Sequence, residues 1–460
     1  MFKFVRLIIF VLVLFTLFAC APVAAPTPVP PTATAPSVVT APTLAPAPAA
    51  TAFDARRAYD HNQMLAVTIG KRVASTEGGT RAGDYIAQQF KSFGFTVEKQ
   101  AFPFESWEDH GTQVQVTAPE ERPIQARPIQ YSPPGNVEAE LVSVRGNGTE
   151  SDFGNVDVKG RVALVQRGTI PFSDKAINAA KAGAAAVLIY NTEPIAFTGT
   201  LRDPVSIPAI ALSGTDGRSL LDLLAKGSVK VKVTSDTAVV QKTGQNIVAT
   251  KRGSSDGVIV LGGHYDSVDA GPGAGDNGSG TAVLLELARV LGQQPHKNTL
   301  VFIAFDAEEL GLYGSRYYVE RLSAADRANI KGMLNFDMLG GGSGPLLAGG
   351  DGTLGRLTRD AAEQLGIQAR NFQLGGNAGS DHEPFQRVGI DTVFFSRDYD
   401  LLHTPQDTID QIQEAYLGEA GRVGERVVTE LDQKAAQSPK DLRGFWKPRR
   451  SCCFSRGNVI

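Results

Sequence analysis

Hydrophobic and polar positions along the chain fall into two alternating textures. At residues 258–261, Val-Ile-Val-Leu, four apolar residues follow one another without interruption, the pattern of a strand buried on both faces. Stretches at 245–250, 299–305, 332–336 and 392–395 also read as strands, and apolar residues recur at helical spacing in 282–291, 312–322, 354–365 and 412–431. This rhythm predicts an α/β domain with a mostly parallel central sheet flanked by helices, whose ligand sites lie beyond the carboxyl ends of the strands. Ahead of it, 55–67 and 81–93 have helical spacing, the second stopped by Gly94, and 95–104 alternates as a strand. Between 122 and 240 the texture changes to short strands at 139–142, 161–165 and 186–190 with one helical stretch, 173–183. A small β-rich insert is therefore expected there, dividing the main domain into 53–121 and 241–437.

Both ends of the chain depart from these patterns. Lys3 and Arg6 precede an apolar run at 7–17 that is too short for a membrane span, which reads as an export signal over residues 1–20. Its last residues, Leu17-Phe18-Ala19-Cys20, resemble a bacterial lipobox, in which the cysteine is lipidated and becomes the mature N-terminus. Ordinary signal cleavage near Ala24-Ala25 is the alternative. Residues 21–52 are almost wholly Ala, Pro, Thr and Val, an extended tether, and 438–460 carry no folding pattern and are expected to be disordered. These features place the protein outside the cytoplasm, either secreted or anchored at the membrane surface through Cys20. Cys452 and Cys453 are the only other cysteines and adjacent, so no disulfide framework is available. With 460 residues, 42% hydrophobic, and a net charge of −3, the composition is that of a globular protein without the basic excess that binds nucleic acid.

Candidate chemistry collects where the predicted strands end. His264 and Asp266 stand two apart on an extended segment, so both side chains share a face and Asp266 can fix the imidazole tautomer. A glycine-rich turn leads to Asp276 at a helix start; Glu308 and Glu309 follow the strand at 299–305, Asp337 the strand at 332–336, and His403 the strand at 392–395. Singly, each reads as a capping or solvated residue. Parallel strands deliver them to one rim, and two histidines with several carboxylates form a metal constellation. Mixed nitrogen and oxygen donors without cysteine favour zinc, with manganese or cobalt as replacements. The set exceeds what a single catalytic zinc needs, whereas a pair of metals sharing one carboxylate uses all of it.

The motifs HYDS, GAGDNGSG, FDAEELGLYGS, NFDMLG, SDHEPF and HTPQDT, in that order and spacing, resemble those of the dizinc exopeptidases of metallopeptidase family twenty-eight, the aminopeptidase Y and Streptomyces-type group. The resemblance covers residues 53–431 apart from the insert, where VKGRVALVQRGTIPFSDKAINAAKAGAAAVLIYN resembles a protease-associated domain, a lid or partner-binding module. It implies two zinc ions, with His264 and Asp337 on one, Glu309 and His403 on the other, and Asp276 bridging. It further implies that Glu308 is the general base for a metal-activated bridging water and that the peptide after Asp276 is cis. Asp266 would be the partner of His264, so that its loss weakens one metal only. The chain departs from the pattern at Gly275, where many members have a second aspartate, and at Leu402, where several have an oxyanion-stabilising tyrosine; Tyr399 is offered as the substitute. Asp381 and Phe385 lie in the substrate-pocket motif, whose acidity suits the α-ammonium of peptide or protein N-termini and favours an aminopeptidase. Arg397 keeps a carboxypeptidase open, as does a dipeptidase of the same family; glutaminyl cyclisation and a non-catalytic binding module are the remaining alternatives. Replacing Cys20 by Ala is expected to move the protein from the detergent phase to the aqueous phase on partitioning; an unchanged distribution would exclude the lipid anchor.

Overall fold

The computed structural model describes residues 52–375 and 379–434. The expected export signal, Cys20, all of the tether but its last residue and the C-terminal tail lie outside them. Four parallel strands form the centre: Thr392–Asp398, Ile330–Phe336, Val258–His264 and Thr299–Phe305, side by side in that order. Ser343–Gly349 adds antiparallel at one side and Lys230–Lys251 at the other. The uninterrupted apolar runs follow from burial on both faces. Ile259 and Leu261 pack into the larger core with Leu300, Phe302, Leu334 and Phe336, while Val260 packs on the other face with Ile303, Phe305, Met333 and Phe385. The helix Gly280–Leu291 is buried along its whole length among the helices Ala55–Gln63, Glu77–Ser92 and Glu414–Lys434, which explains why it is almost wholly apolar and why its two charged residues, Glu286 and Arg289, pair with each other at 2.6 Å.

A long two-stranded ribbon leaves this sheet. Thr96–Ala118 pairs antiparallel with Lys230–Lys251 from Thr96 opposite Thr250 to Ala118 opposite Lys230, with a register shift between Asp109 and Gly111. The expected strands at 95–104 and 245–250 are only the proximal parts of these two. Past Phe104 the ribbon carries exposed Glu105, Asp109 and Gln241, so apolar alternation lapses along its middle and resumes only at Val114, Val116, Val231 and Val233, which pack into the insert. The expected insert boundary at 240 falls inside the second strand. At the far end, Gly135–Ser143 pairs with the ribbon and leads into parallel strands Val162–Gln166, Ala186–Tyr190 and Ala209–Leu212.

The insert is more helical than its sequence texture suggested. The stretch at 173–183 becomes the helix Phe172–Lys181, and a further helix, Gly214–Leu224, was not expected because two glycines lower its propensity. Gly217 is needed there, since a Cβ would lie 2.2 Å from Tyr190 Cβ. No helix among the described residues is long and apolar enough to cross a membrane. Phe336 is fully buried, stacks on Phe395 at 4.7 Å and ends the strand that leads to Asp337. Phe336→Ala is expected to cost about 3–5 kcal/mol, read as a lower urea midpoint; an unchanged midpoint would mean that the cavity closes without loss.

Candidate metal centre

Three of the four central strands end at one level. Phe305 pairs with His264 and Asn335 with Gly262, so Glu308, His264 and Asp337 emerge over one edge of the sheet. The chain then swings from His264 to the helix Gly280–Leu291, and Gly280 allows its start to abut the strand end: a Cβ there would lie 2.2 Å from Phe336 O. Asn277 fixes this contact, donating from Nδ2 to Phe336 O at 2.9 Å and accepting from Gly280 N at 2.8 Å. The Asp276–Asn277 peptide is cis.

Two donor groups result, and Asp276 belongs to both. His264 Nε2 lies 3.1 Å from Asp276 Oδ1 and 3.3 Å from Asp337 Oδ1; His403 Nε2 lies 3.2 Å from Asp276 Oδ2 and 2.8 Å from Glu309 Oε2. In each group the donor atoms lie within 4.8 Å of one another, close enough to share an ion. Glu308 stands beside them, with Oε2 3.9 Å from His264 Nε2.

The model of peptidase family M28 matches residues 246–428, and that of the PA domain matches residues 137–220, inside the expected insert. Aminopeptidase YwaD of Bacillus subtilis is 32% identical over 418 residues, 86% of this chain and 89% of the relative. The chain belongs to peptidase family M28. Two solved structures resemble this family member: an aminopeptidase from Aneurinibacillus sp. strain AM-1, at 35% identity over 82% of this chain and 94% of that one, and BSAP, a zinc aminopeptidase from Bacillus subtilis, at 31% over 85% and 98%. The TM-score is 0.71 for each.

Around the donor groups of this family M28 chain, neutral donors hold the acids in place. Ser380 Oγ donates to Asp337 Oδ2 at 2.7 Å and accepts from Asn335 Nδ2 at 2.7 Å, which turns Asp337 Oδ1 toward His264. Asp266 Oδ1 lies 3.4 Å from His264 Nδ1, and the Asp266 carboxylate also accepts from Glu308 N at 3.2 Å and Glu309 N at 3.3 Å. Asp266 thus braces the turn that presents Glu309 as well as His264, so its loss bears on both donor groups rather than one. Asp407, of the HTPQDT motif, accepts from Gly275 N at 2.6 Å, Asp276 N at 3.0 Å and Tyr399 Oη at 2.6 Å. Sequence reasoning named neither Asp407 nor Ser380 as a site residue, although both lie in quoted motifs; their bonds span 131 and 43 residues.

Three expected substrate contacts are corrected. Phe385 is fully buried against Phe305 and Tyr318, a core residue with no face toward the rim. Asp381 is also fully buried, so it adds negative charge beneath the site without reaching its surface. Tyr399 has one hydroxyl proton and gives it to Asp407, so it is not free to stabilise an oxyanion. Arg397, the feature that suited a carboxypeptidase, is buried, donates to Glu419 Oε2 at 2.7 Å and lies 3.7 Å over the Tyr416 ring.

The electrostatics call for cations. Burial, with the neighbouring acids, pushes Glu309 and Asp381 up to about 7 and raises Glu308 well above the carboxylate range. Hydrogen bonds to Asp276 and Glu309 raise His403 to about 10. Burial opposes the charged form of His264, but Glu308 and Asp337 raise it overall; likewise Asp276 is held low by both imidazoles against the effect of its own burial. Glu309 Oε1 and Asp337 Oδ1 are buried without hydrogen-bond partners, an arrangement that costs free energy unless a cation takes them up. One orphaned oxygen falls in each donor group, so the residues present fit two metal ions. Asp407→Ala would leave two main-chain N–H groups and a phenol unpaired. It is expected to weaken zinc binding about 10–100-fold in chelator competition; wild-type affinity would show that the Gly275–Asp276 segment is held by other contacts.

Proposed function

We propose that the protein is an extracytoplasmic zinc-dependent aminopeptidase that removes N-terminal residues from peptides, with His264 and Asp337 holding one zinc ion, Glu309 and His403 a second, and Asp276 bridging. The observation that carries this reading is the pair of donor groups sharing Asp276, with Glu308 beside them and not part of either. Family membership and the resemblance to aminopeptidases, one of them described as a zinc enzyme, support the same reaction class. Two bound zinc ions supply Lewis acidity that activates water and polarises the scissile carbonyl. Glu308 takes the water proton and returns it to the leaving amine. Asp266 keeps the His264 ring and the Glu308–Glu309 turn in register during both transfers.

An α-ammonium is favoured over an α-carboxylate by charge. Asp266, Asp276, Glu308, Glu309, Asp337 and Asp407 gather at the sheet edge, and these six carboxylates outnumber the charges of two divalent ions and buried Arg72. With Arg397 engaged by Glu419, no guanidinium is offered to a substrate carboxylate at that position. The expected export signal and Cys20 favour a protein that is anchored at the membrane surface or secreted.

The purified protein is expected to carry two zinc ions per chain, to hydrolyse aminoacyl substrates and not their N-blocked counterparts, and to lose activity to a chelator. One zinc per chain would favour glutaminyl cyclisation, and activity on blocked peptides alone would exclude the aminopeptidase. Glu308→Gln should keep both metals while lowering kcat by at least about 10²–10⁴-fold; near-normal turnover would remove Glu308 from the role of base.

A further inference from the structure

One buried cation next to the donor groups has no part in the reaction described above. Arg72, in the segment before the helix Glu77–Ser92, is fully buried. A guanidinium so placed is normally met by a carboxylate, yet its donors go to main-chain carbonyls. Nε donates to Tyr265 O at 2.8 Å, Nη1 to Pro272 O at 2.6 Å and Gly70 O at 3.1 Å, and Nη2 to Gly273 O at 2.7 Å, with a longer contact from Nη1 to Leu65 O at 3.4 Å. Its own amide donates to Ser267 Oγ at 2.9 Å.

These acceptors are not scattered. Tyr265 follows His264, and Gly273 stands three residues before Asp276, so one side chain ties together the two ends of the excursion that separates those two residues. Asn62 Nδ2 continues the grip at Ala274 O, 3.0 Å away, and Asp407 takes the next two amides from the opposite side. The segment is clamped by donors on its carbonyls and by a carboxylate on its amides. Burial lowers Arg72 to about 10 against the opposing field of Asp266, Asp407, Asp276 and Glu309, so the guanidinium keeps its charge near neutrality. Only a planar guanidinium has donors spread widely enough to reach Tyr265, Pro272 and Gly273 at once; a lysine offers three donors from a single nitrogen.

We propose that Arg72 is a positioning residue of the metal centre: it fixes the span between His264 and Asp276 and gives the carboxylate cluster a permanent positive charge, so that both donor groups are set before metal arrives. The proposal rests on the dimetal reading of the site, and its test separates the two. Wild type, Arg72→Lys and Arg72→Gln are stripped of metal, their melting is recorded, and zinc is titrated against a chromophoric chelator well below the melting temperature. Both variants should fold and bind zinc about 10–100-fold more weakly, with Arg72→Gln the weaker, and at saturating zinc kcat should fall more than KM rises.

A folded Arg72→Lys or Arg72→Gln with wild-type zinc affinity would overturn the positioning role alone, and lower melting with unchanged affinity would reduce Arg72 to a structural residue. A wild-type protein that binds no zinc would overturn the dimetal reading and this proposal with it. Hydrogen exchange on metal-stripped wild type needs no variant: peptides covering residues 265–276 should be as protected as in the zinc-loaded protein. Fast exchange in the stripped state would show that metal, not Arg72, orders the segment.

Discussion

Carboxylates gathered within a few ångströms of one another at a dry sheet edge repel, and an ionised carboxylate taken out of water unpaired costs several kcal/mol. The fold meets this constraint by dividing the oxygens of each acid. Asp337 gives one to Ser380, Asp266 accepts two main-chain amides, Asp407 accepts two more and a phenol, and Asp306 takes the amides of Gln245 and Ala307. Those bonds fix position with neutral donors, leaving Glu309 Oε1 and Asp337 Oδ1 without hydrogen-bond partners. The repulsion that would destabilise an ordinary core becomes affinity for positive charge, whether ion or ammonium.

Much of this was legible in the sequence. The runs at 258–261 and 299–305 announced strands buried on both faces, and the position of each acid or histidine just beyond a run placed them on one rim without knowledge of strand order. The proximity of His264, Asp276, Glu309, Asp337 and His403 needed only the rule that parallel strands end together. Contacts that depend on side-chain direction could not be read. Phe385 stands in a pocket motif but points into the core, and the hydroxyl of Tyr399 is taken by Asp407, a residue whose importance lies in main-chain amides that have no sequence signature. Arg72 was invisible for the same reason, since its partners are carbonyls.

The ribbon was half legible because hydrophobic periodicity reports burial, and its middle, between Phe104 and Val114, has little of it. What holds the ribbon instead is continuous main-chain pairing, reinforced near its base by Asn246, which donates to Gly314 O, and near its middle by Trp107, which donates to Ser132 O.

That pairing closes with Ala118 opposite Lys230, so the chain enters and leaves the insert at adjacent residues. To the peptidase sheet, everything between those two residues is topologically the loop of a hairpin. Closing a loop grows more costly only with the logarithm of its length, and here the loop has a core of its own. The module could therefore have been acquired, exchanged or shortened to a tight turn in the history of the chain without altering the register of any strand that carries the metal centre.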